Sequence, residues 1–511
     1  MRLLSLTIEG SYKSLNSFEY QFREGIGGGE GATGIEPVCF VGLNGSGKSN
    51  IIEALSEIFC FLDLVCLDYV ETPNWAKKSP LTFKLSYSLK VKTKEHIVVV
   101  EADKGQIPTI SLDDGRIISW PTEMAIWLPH RVLGYSSGHN ETISFPYLRN
   151  QGFYADEIAK SALSSTKDVD VPHTKTLLMD YESNVLILLA NVLFQSHRKR
   201  KIFEEHLRIK DISSFRIIVE FKRKRGVDVA TTNEIQETIE KLKATAIMHD
   251  QITETRIVLD FVVCAATRKA FKSHFGSGVE FYTRLYKLSL LNALQLTREE
   301  RDFYTKKPKL DALLEKPPAV PKQDKVFTVD QLKLHLTNPI CEIDYVGISD
   351  GEHQFIHIVG SAMLFDEDNC LFLFDEPESH FNPSWRSKFI DTLDEVVGNS
   401  SQDFVISTHS PYVVSACHSR NVVRFERDGK EIKYSSPARE TFGGTFERLL
   451  KELFGLSSGI SLHSSNSLDE IIDSGDLGKM KLAAAEYAES PEKRKLYEII
   501  MRLEEQQGGV E

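Results

Sequence analysis

Eight residues, Gly42-Leu43-Asn44-Gly45-Ser46-Gly47-Lys48-Ser49, constrain this chain more than any other stretch. They fit G-x-x-x-x-G-K-[ST], a loop that wraps phosphate oxygens in backbone N–H groups. The pattern has meaning only between a strand and a helix, and both are legible. Val38-Cys39-Phe40-Val41 reads as a short buried strand, and Ile51, Ile52, Ala54, Leu55, Ile58 and Phe59 recur at helical spacing. The glycines let the backbone curl with no Cβ in the way, and the helix N-terminus adds partial positive charge. Asn44, Gly45, Ser46, Gly47 and Asn50 are expected to shape the cradle. Lys48 is expected to reach the β- and γ-phosphates of ATP, and Ser49 to ligate Mg²⁺. The plain alternative, a glycine turn before an ordinary helix, does not require every fixed position.

A chain of 511 residues holds two domains or one with large insertions. The apolar run from Ile58 to Val70 is interrupted by Asp63 and Asp68, so no membrane span is expected. Met1 to Leu6 leads into alternation rather than a secretion signal. The seven cysteines include no C-x-x-C pair, which points to free thiols in a reducing cytoplasm. Acids outnumber bases, 73 to 61, giving a net charge of −12, so no global field draws in nucleic acid. DNA contact would need local patches. Arg198-Lys199-Arg200-Lys201 and Lys222-Arg223-Lys224-Arg225 are the candidates, although such runs are more often solvated faces.

Residues 1–22 alternate and read as two strands around Ser11-Tyr12-Lys13-Ser14-Leu15. Gly25 to Gly34 reads as a mobile glycine-rich loop. Leu81 to Val91, His96 to Glu101, Thr109 to Leu112 and Ile117 to Trp120 read as strands of an antiparallel lobe, with a hairpin turn at Asp113-Asp114-Gly115. Arg131 to Glu141 reads as a strand opening into a polar loop that either faces the nucleotide's metal or is a surface turn. Residues 150–335 read as mostly helical, with strands near Phe215 to Phe221 and Ile257 to Val263, and Lys306 to Lys325 as an exposed linker. No heptads persist, so a long coiled-coil arm is not expected.

Chemistry returns at Ser349-Asp350-Gly351-Glu352-His353-Gln354, followed by an apolar helix. Leu371-Phe372-Leu373-Phe374 then ends in Asp375-Glu376-Pro377-Glu378. A buried strand stopping there would set the Asp375 carboxylate beside the Mg²⁺ held by Ser49, and Glu376 one residue on, where it can serve as general base. Phe404-Val405-Ile406-Ser407 is another buried strand, delivering His409 where a histidine can sense the γ-phosphate. His353 and His357 stand four apart, but both would lie on one helix with no third ligand, so a metal pair is rejected.

The order and spacing of these motifs resemble an ABC-type ATPase head of the RecF, SMC and OLD group. The resemblance implies an α/β fold: a P-loop ABC-type head with an antiparallel β lobe, a large mostly helical insertion and a helical C-terminal tail. It divides the chain into 1–150 and 336–440 for the two halves of the head, 151–335 for the insertion and 441–511 for the tail. Gly42 to Ser49 matches the Walker A loop, Ser349 to Gln354 the signature, Asp375 and Glu376 Walker B, Ser379 to Pro383 the D-loop and His409 the switch histidine. Ile348 and Asp350 depart from the usual signature. Ser349, Gly351 and Glu352 stand at its nucleotide-contacting positions. No clear Q-loop glutamine is present, and Tyr135 to Asn140 occupies its expected place.

The resemblance further implies that Ser349 completes the site of a second head, so that ATP is sandwiched in a homodimer or a higher oligomer. The C-terminal stripe Leu496, Ile499, Ile500 and Leu503 either docks on its own domain or forms a partner surface. The Tyr135 to Glu141 stretch, the D-loop form and the tail resemble the PtuA family of Septu anti-phage ATPases, whose partner is an HNH nuclease. A RecF-like DNA-binding clamp is the alternative. An OLD-type nuclease is disfavoured, since no Asp-x-Asp follows Asn421.

Overall fold

The computed structural model describes the chain apart from residues 24–33, 68–71, 120–122, 138–140, 164–170, 223–227, 230–231, 298, 301–319, 399, 430, 457–459 and 509–511. Nearly all of the glycine-rich loop, Trp120, residues 138–140, Arg223 to Arg225 and most of the Lys306 to Lys325 linker therefore lie outside the described residues.

Three sheets organise the described residues. The first is antiparallel, with order β2-β1-β4-β5-β6. It is built from β1 (Arg2–Glu9), β2 (Phe18–Gln21), β4 (Thr82–Val91), β5 (Lys94–Ala102) and β6 (Thr109–Leu112). The turn at Asp113 to Gly115 forms as expected, with Gly115 N–H on Leu112 C=O at 2.9 Å. The strand expected at Ile117 is reduced to a single bridge with Ser111.

The second sheet has seven strands in the order β17-β16-β3-β15-β14-β7-β8. These are β3 (Val38–Gly42), β7 (Arg131–Ser136), β8 (Thr176–Leu178), β14 (Cys370–Asp375), β15 (Gln402–Thr408), β16 (Val422–Asp428) and β17 (Glu431–Ser435). All neighbours are parallel except the edge hairpin β16–β17. Every residue of β3 and β14 is buried, as expected for parallel strands covered on both faces. Alternation then sorts their side chains. Val38, Phe40, Leu371, Leu373 and Val405 join the core shared with helix Lys48–Leu67 and the antiparallel lobe. Cys39, Val41, Phe372, Phe374 and Ile406 face the other core, built from the central helices.

The third sheet contains the two strands expected near Phe215 to Phe221 and Ile257 to Val263, together with three that the sequence reading missed. It is antiparallel, β10-β11-β9-β12-β13, and comprises β9 (Ile209–Glu220), β10 (Met248–Gln251), β11 (Arg256–Val262), β12 (Phe327–Thr337) and β13 (Ile340–Asp344). Helices outweigh strands in this central region, but the sheet gives it a spine. Helix Tyr181–Phe194 links it to helix Asp350–Leu364: Asn191 Nδ2 donates to Gly360 C=O at 2.8 Å, and Asn184 Nδ2 to His353 C=O at 3.1 Å.

Beyond β17 the described residues are helical. Helix Phe446–Phe454 packs on the central sheet's layer, with Leu449 and Leu453 buried. Helices Leu462–Asp473, Leu477–Glu486 and Pro491–Gly508 enclose a separate small core of Leu468, Met480, Ala483, Ala484, Leu496 and Ile500. Leu496 and Ile500 are thus consumed by docking on their own neighbours. No helix among the described residues is long and apolar enough to cross a membrane.

Candidate functional site

Strand register builds the site. Asp375 pairs with Ser407 and with Ser136, and Thr408 pairs with Val41, so the carboxyl ends of β14, β15, β7 and β3 lie level. That rim is where parallel α/β sheets hold their ligands. The glycine loop leaves β3 at the same level and feeds helix Lys48–Leu67.

The loop is confined on one side by the β16–β17 hairpin. A Cβ on Gly47 would stand 2.6 Å from Ile432 Cδ1, and its φ of +102° is in any case open chiefly to glycine. Ser46 is buried, and its Oγ has no hydrogen-bond partner among the described residues. A buried hydroxyl without a partner in a cradle of N–H groups fits an incoming phosphate. Lys48 is buried too. Its Nζ donates to the loop carbonyls of Gly42 at 2.9 Å and Leu43 at 3.1 Å, and burial lowers its pKa.

Ser49 Oγ donates to Asp375 Oδ1 at 3.0 Å, so the hydroxyl and carboxylate meet across the chain as expected. Ser407 Oγ, which the sequence reading did not single out, donates to the same carboxylate. Burial pushes the Asp375 carboxyl up, while these two hydroxyls pull it back. An oxygen pair of this kind suits a hard cation such as Mg²⁺.

Glu376 has the left-handed φ of +50°, an uncommon conformation for a non-glycine residue. Its N–H is anchored on Ser407 C=O at 3.1 Å, which holds the turn. Its Oε1 lies 3.2 Å from His409 Nε2, and the same nitrogen lies 3.0 Å from Lys48 Nζ. One ring nitrogen serves one partner at a time. It accepts from Lys48 when unprotonated and donates to Glu376 when protonated. The His409 hydrogen bond holds the Glu376 carboxyl below the usual range, so it is ionised and able to accept a proton. The Phe454 ring packs 6.2 Å from the His409 ring, tying the first helix after β17 to the site.

The signature-like stretch is elsewhere. Ser349 caps helix Asp350–Leu364 in a reciprocal capping box, its N–H donating to Glu352 Oε2 at 2.8 Å and Glu352 N–H to Ser349 Oγ at 3.4 Å. Ser349, Gly351 and Glu352 do not line the cavity over the glycine loop. They are fixed instead against the segment after Glu378. A Cβ on Gly351 would come 2.8 Å from His380 C=O, and Gln354 bridges to Ser379 Oγ at 3.2 Å and His380 N–H at 3.0 Å. Arg208, at the end of helix His197–Leu207, reaches Glu352 at 3.4 Å, a contact across 144 residues that no local pattern announces.

In the polar loop, read either as facing the metal or as a surface turn, Ser137 N–H donates to Asp375 C=O at 3.2 Å. Tyr135 is buried against Phe374 and His357. His353 and His357 bond to Tyr345 and the Asp180 carbonyl respectively, and no metal-ligating cluster occurs among the described residues. Within the first basic run, Lys199 pairs with Asp366 at 2.6 Å and Arg200 with Asp211 at 3.8 Å, which leaves Arg198 and Lys201 exposed.

A cavity of about 410 Å³ opens over the loop, lined by Gly45, Gly47, Lys48 and Ser49. Lys13, Ser14, Asn50 and Arg427 complete its wall. Of these, Lys13, Ser14 and Arg427 went unnoticed in the sequence. Lys13 pairs with Glu53, and Asn50 Nδ2 donates to Ser14 Oγ.

Glu378 supplies a pH handle beside the site. It is buried, accepts from Thr408 Oγ1, and leaves Oε2 without a partner among the described residues. Burial pushes it up from 4.5 to about 7. Below pH 4.5 the folded and unfolded chains both carry the proton; above it the unfolded chain releases the proton first. Stability therefore falls as pH rises from 4.5 to 7 and then levels, a change of about 3 kcal/mol from this group. Glu378→Gln cannot ionise and is expected to remove that component, visible as a flatter dependence of melting temperature on pH.

Residues 1–414 match the AAA ATPase domain family. A stretch of 105 residues is 33% identical to protein ea59 of Escherichia phage lambda, covering 20% of this chain and 20% of that protein. The chain thus spans about a fifth of that relative's length. Among solved structures, the SMC head domain from Thermotoga maritima aligns over 85% of this chain and 99% of that one, at 10% identity and a TM-score of 0.33. An SMC head bound to the C-terminal winged-helix domain of ScpA aligns over 88% and 100%, at 11% identity and 0.35. Both structural likenesses are distant.

Proposed function

We propose, from the premise that this chain belongs to the AAA ATPase domain family, that it is an ABC-type ATPase head whose ATP state controls a separately encoded effector. The observation that carries the catalytic part is the convergence of Lys48, Ser49, Asp375, Glu376 and His409, brought from three separate stretches to one sheet rim. In this reading Asn44 to Asn50 cradle the phosphates, and Lys48 leaves its loop carbonyls for them. Ser49 and Asp375 would hold Mg²⁺, which when bound neutralises phosphate charge. Glu376 orients the attacking water and takes its proton, and His409 reports the γ-phosphate.

Ser349, Gly351 and Glu352 then act in a second copy. Their absence from the cavity of their own chain, together with the exposed position of Ser349 at a helix N-terminus beside the half-buried Gly351 and Glu352, suits contact with a nucleotide held by a partner. Dimerisation and ATP binding are thereby linked, each favouring the other. The effector is an HNH nuclease in bacterial anti-phage defence, in a cytoplasmic assembly of dimers. The acidic net charge, and the neutralisation of Lys199 and Arg200 by carboxylates, favour this over a RecF-like clamp that grips DNA itself.

Purification from the native cell with and without ATP, followed by a DNA cleavage assay, tests the reading. A nuclease is expected to co-purify, with activity that changes with ATP. A lone dimer that binds DNA in ATP, with steep salt dependence and no nuclease, would establish the clamp instead.

A further inference from the structure

We propose that Arg427 is a nucleotide-binding residue that grips the α- and β-phosphates of ATP or ADP within its own chain. The proposal rests on the nucleotide-site reading above and adds to it a residue from outside every motif.

Three observations carry it. First, the register of β16 on β3 sets Phe425 opposite Gly42, the first residue of the glycine loop. Arg427, two residues on and on the same face, therefore overhangs the loop. Second, its guanidinium is already at the loop: Nη1 donates to Gly45 C=O at 3.1 Å and Nε to Gly429 C=O at 3.2 Å. Third, both bonds are to backbone carbonyls, so its charge is not neutralised by a carboxylate among the described residues. The acids nearest in sequence are engaged elsewhere, Glu426 with Arg424 at 2.5 Å and Asp428 with Lys433 at 2.6 Å. A guanidinium with an uncompensated charge in a phosphate cavity is suited to bidentate anion recognition.

Position within the cavity selects the phosphates. Arg427 shares its wall with Lys13, Ser14 and Asn50 as well as with Lys48 and Ser49, whereas Glu376 and His409, which orient the attacking water and sense the γ-phosphate, do not line it; Arg427 itself bonds to the loop at Gly45, three residues before Lys48. Arg427 therefore acts on what ATP and ADP have in common.

The test is a titration of the full chain with fluorescent ATP and ADP analogues, for wild type, Arg427→Ala and Arg427→Lys. Arg427→Ala is expected to weaken both nucleotides by a similar factor, about 10- to 30-fold, and Arg427→Lys to recover only part of it. If Arg427→Ala does not fold, Arg427→Gln, which keeps a donor for Gly45 C=O, takes its place. Wild-type protein that binds neither nucleotide overturns the site itself. Wild-type binding with unchanged affinity in the variant overturns only the role of Arg427. A loss confined to the triphosphate overturns the α/β placement.

Discussion

Lys48→Ala is expected to abolish nucleotide binding and turnover together. The residue is 4% exposed, and its ammonium is held by two loop carbonyls, with His409 Nε2 a third acceptor only when that nitrogen is unprotonated. Burial lowers its pKa, which records the cost of keeping this charge out of water. Phosphate oxygens would stabilise it far better than carbonyls do, because charge-assisted bonds are roughly twice as strong as neutral ones. Alanine removes that gain and also takes the Lys48 donor from the Gly42 carbonyl, while Leu43 C=O keeps Ser46 N–H at 3.2 Å. The fold should survive, since helix Lys48–Leu67 is held by Ile51, Ile52, Leu55 and Ile58 rather than by its first residue. Calorimetric titration with ATP and phosphate-release assays should each show a loss of about 100-fold or more, with an unchanged melting temperature within a few degrees. Ordinary ATPase activity in this variant would refute the site.

What the sequence discloses here follows sequence distance. The glycine loop is legible because its fixed residues are consecutive and its strand and helix adjoin it. Asp375 and Glu376 are legible because an apolar run stops on them. Ser407 and Arg427 are not, since what brings them to the site is strand register, Asp375 beside Ser407 and Gly42 beside Phe425. Lys13 lies in a turn that reads as a turn and nothing more.

The rest of the third sheet was hidden for a related reason. In β12 the alternation Phe327, Val329 changes phase to Leu332, Leu334, Leu336 across Gln331, whose φ is +48°. The register shift against β9 falls at the same place. A bulge of this kind breaks the period of two on which strand recognition depends. β10 is exposed throughout and has no apolar period to detect. The signature shows the opposite difficulty. Ser349 and Glu352 satisfy a capping box within one chain, so the same residues answer both to helix formation and to a proposed role in trans.

Glu376→Gln separates binding from chemistry. The substitution preserves shape and keeps an oxygen for His409, and it leaves the backbone turn anchored on Ser407 undisturbed. What it removes is the ability to take a proton. In the parent, the His409 contact holds Glu376 ionised to lower pH than an ordinary glutamate, so the acid limb of the rate profile should lie below the usual carboxylate range. Loss of a general base costs about 10²- to 10⁴-fold in turnover, and the variant should fall by that factor while still binding ATP. With hydrolysis blocked, linkage between nucleotide and dimer should accumulate the ATP-bound dimer, seen as a mass shift in light scattering that parental protein shows only briefly. Parental turnover would assign the base to another residue. Loss of ATP affinity alongside turnover would mean that Glu376 holds the loop and His409 in place rather than serving the attacking water. The dimer readout distinguishes these cases, because only a competent, unhydrolysed ATP site can drive the association.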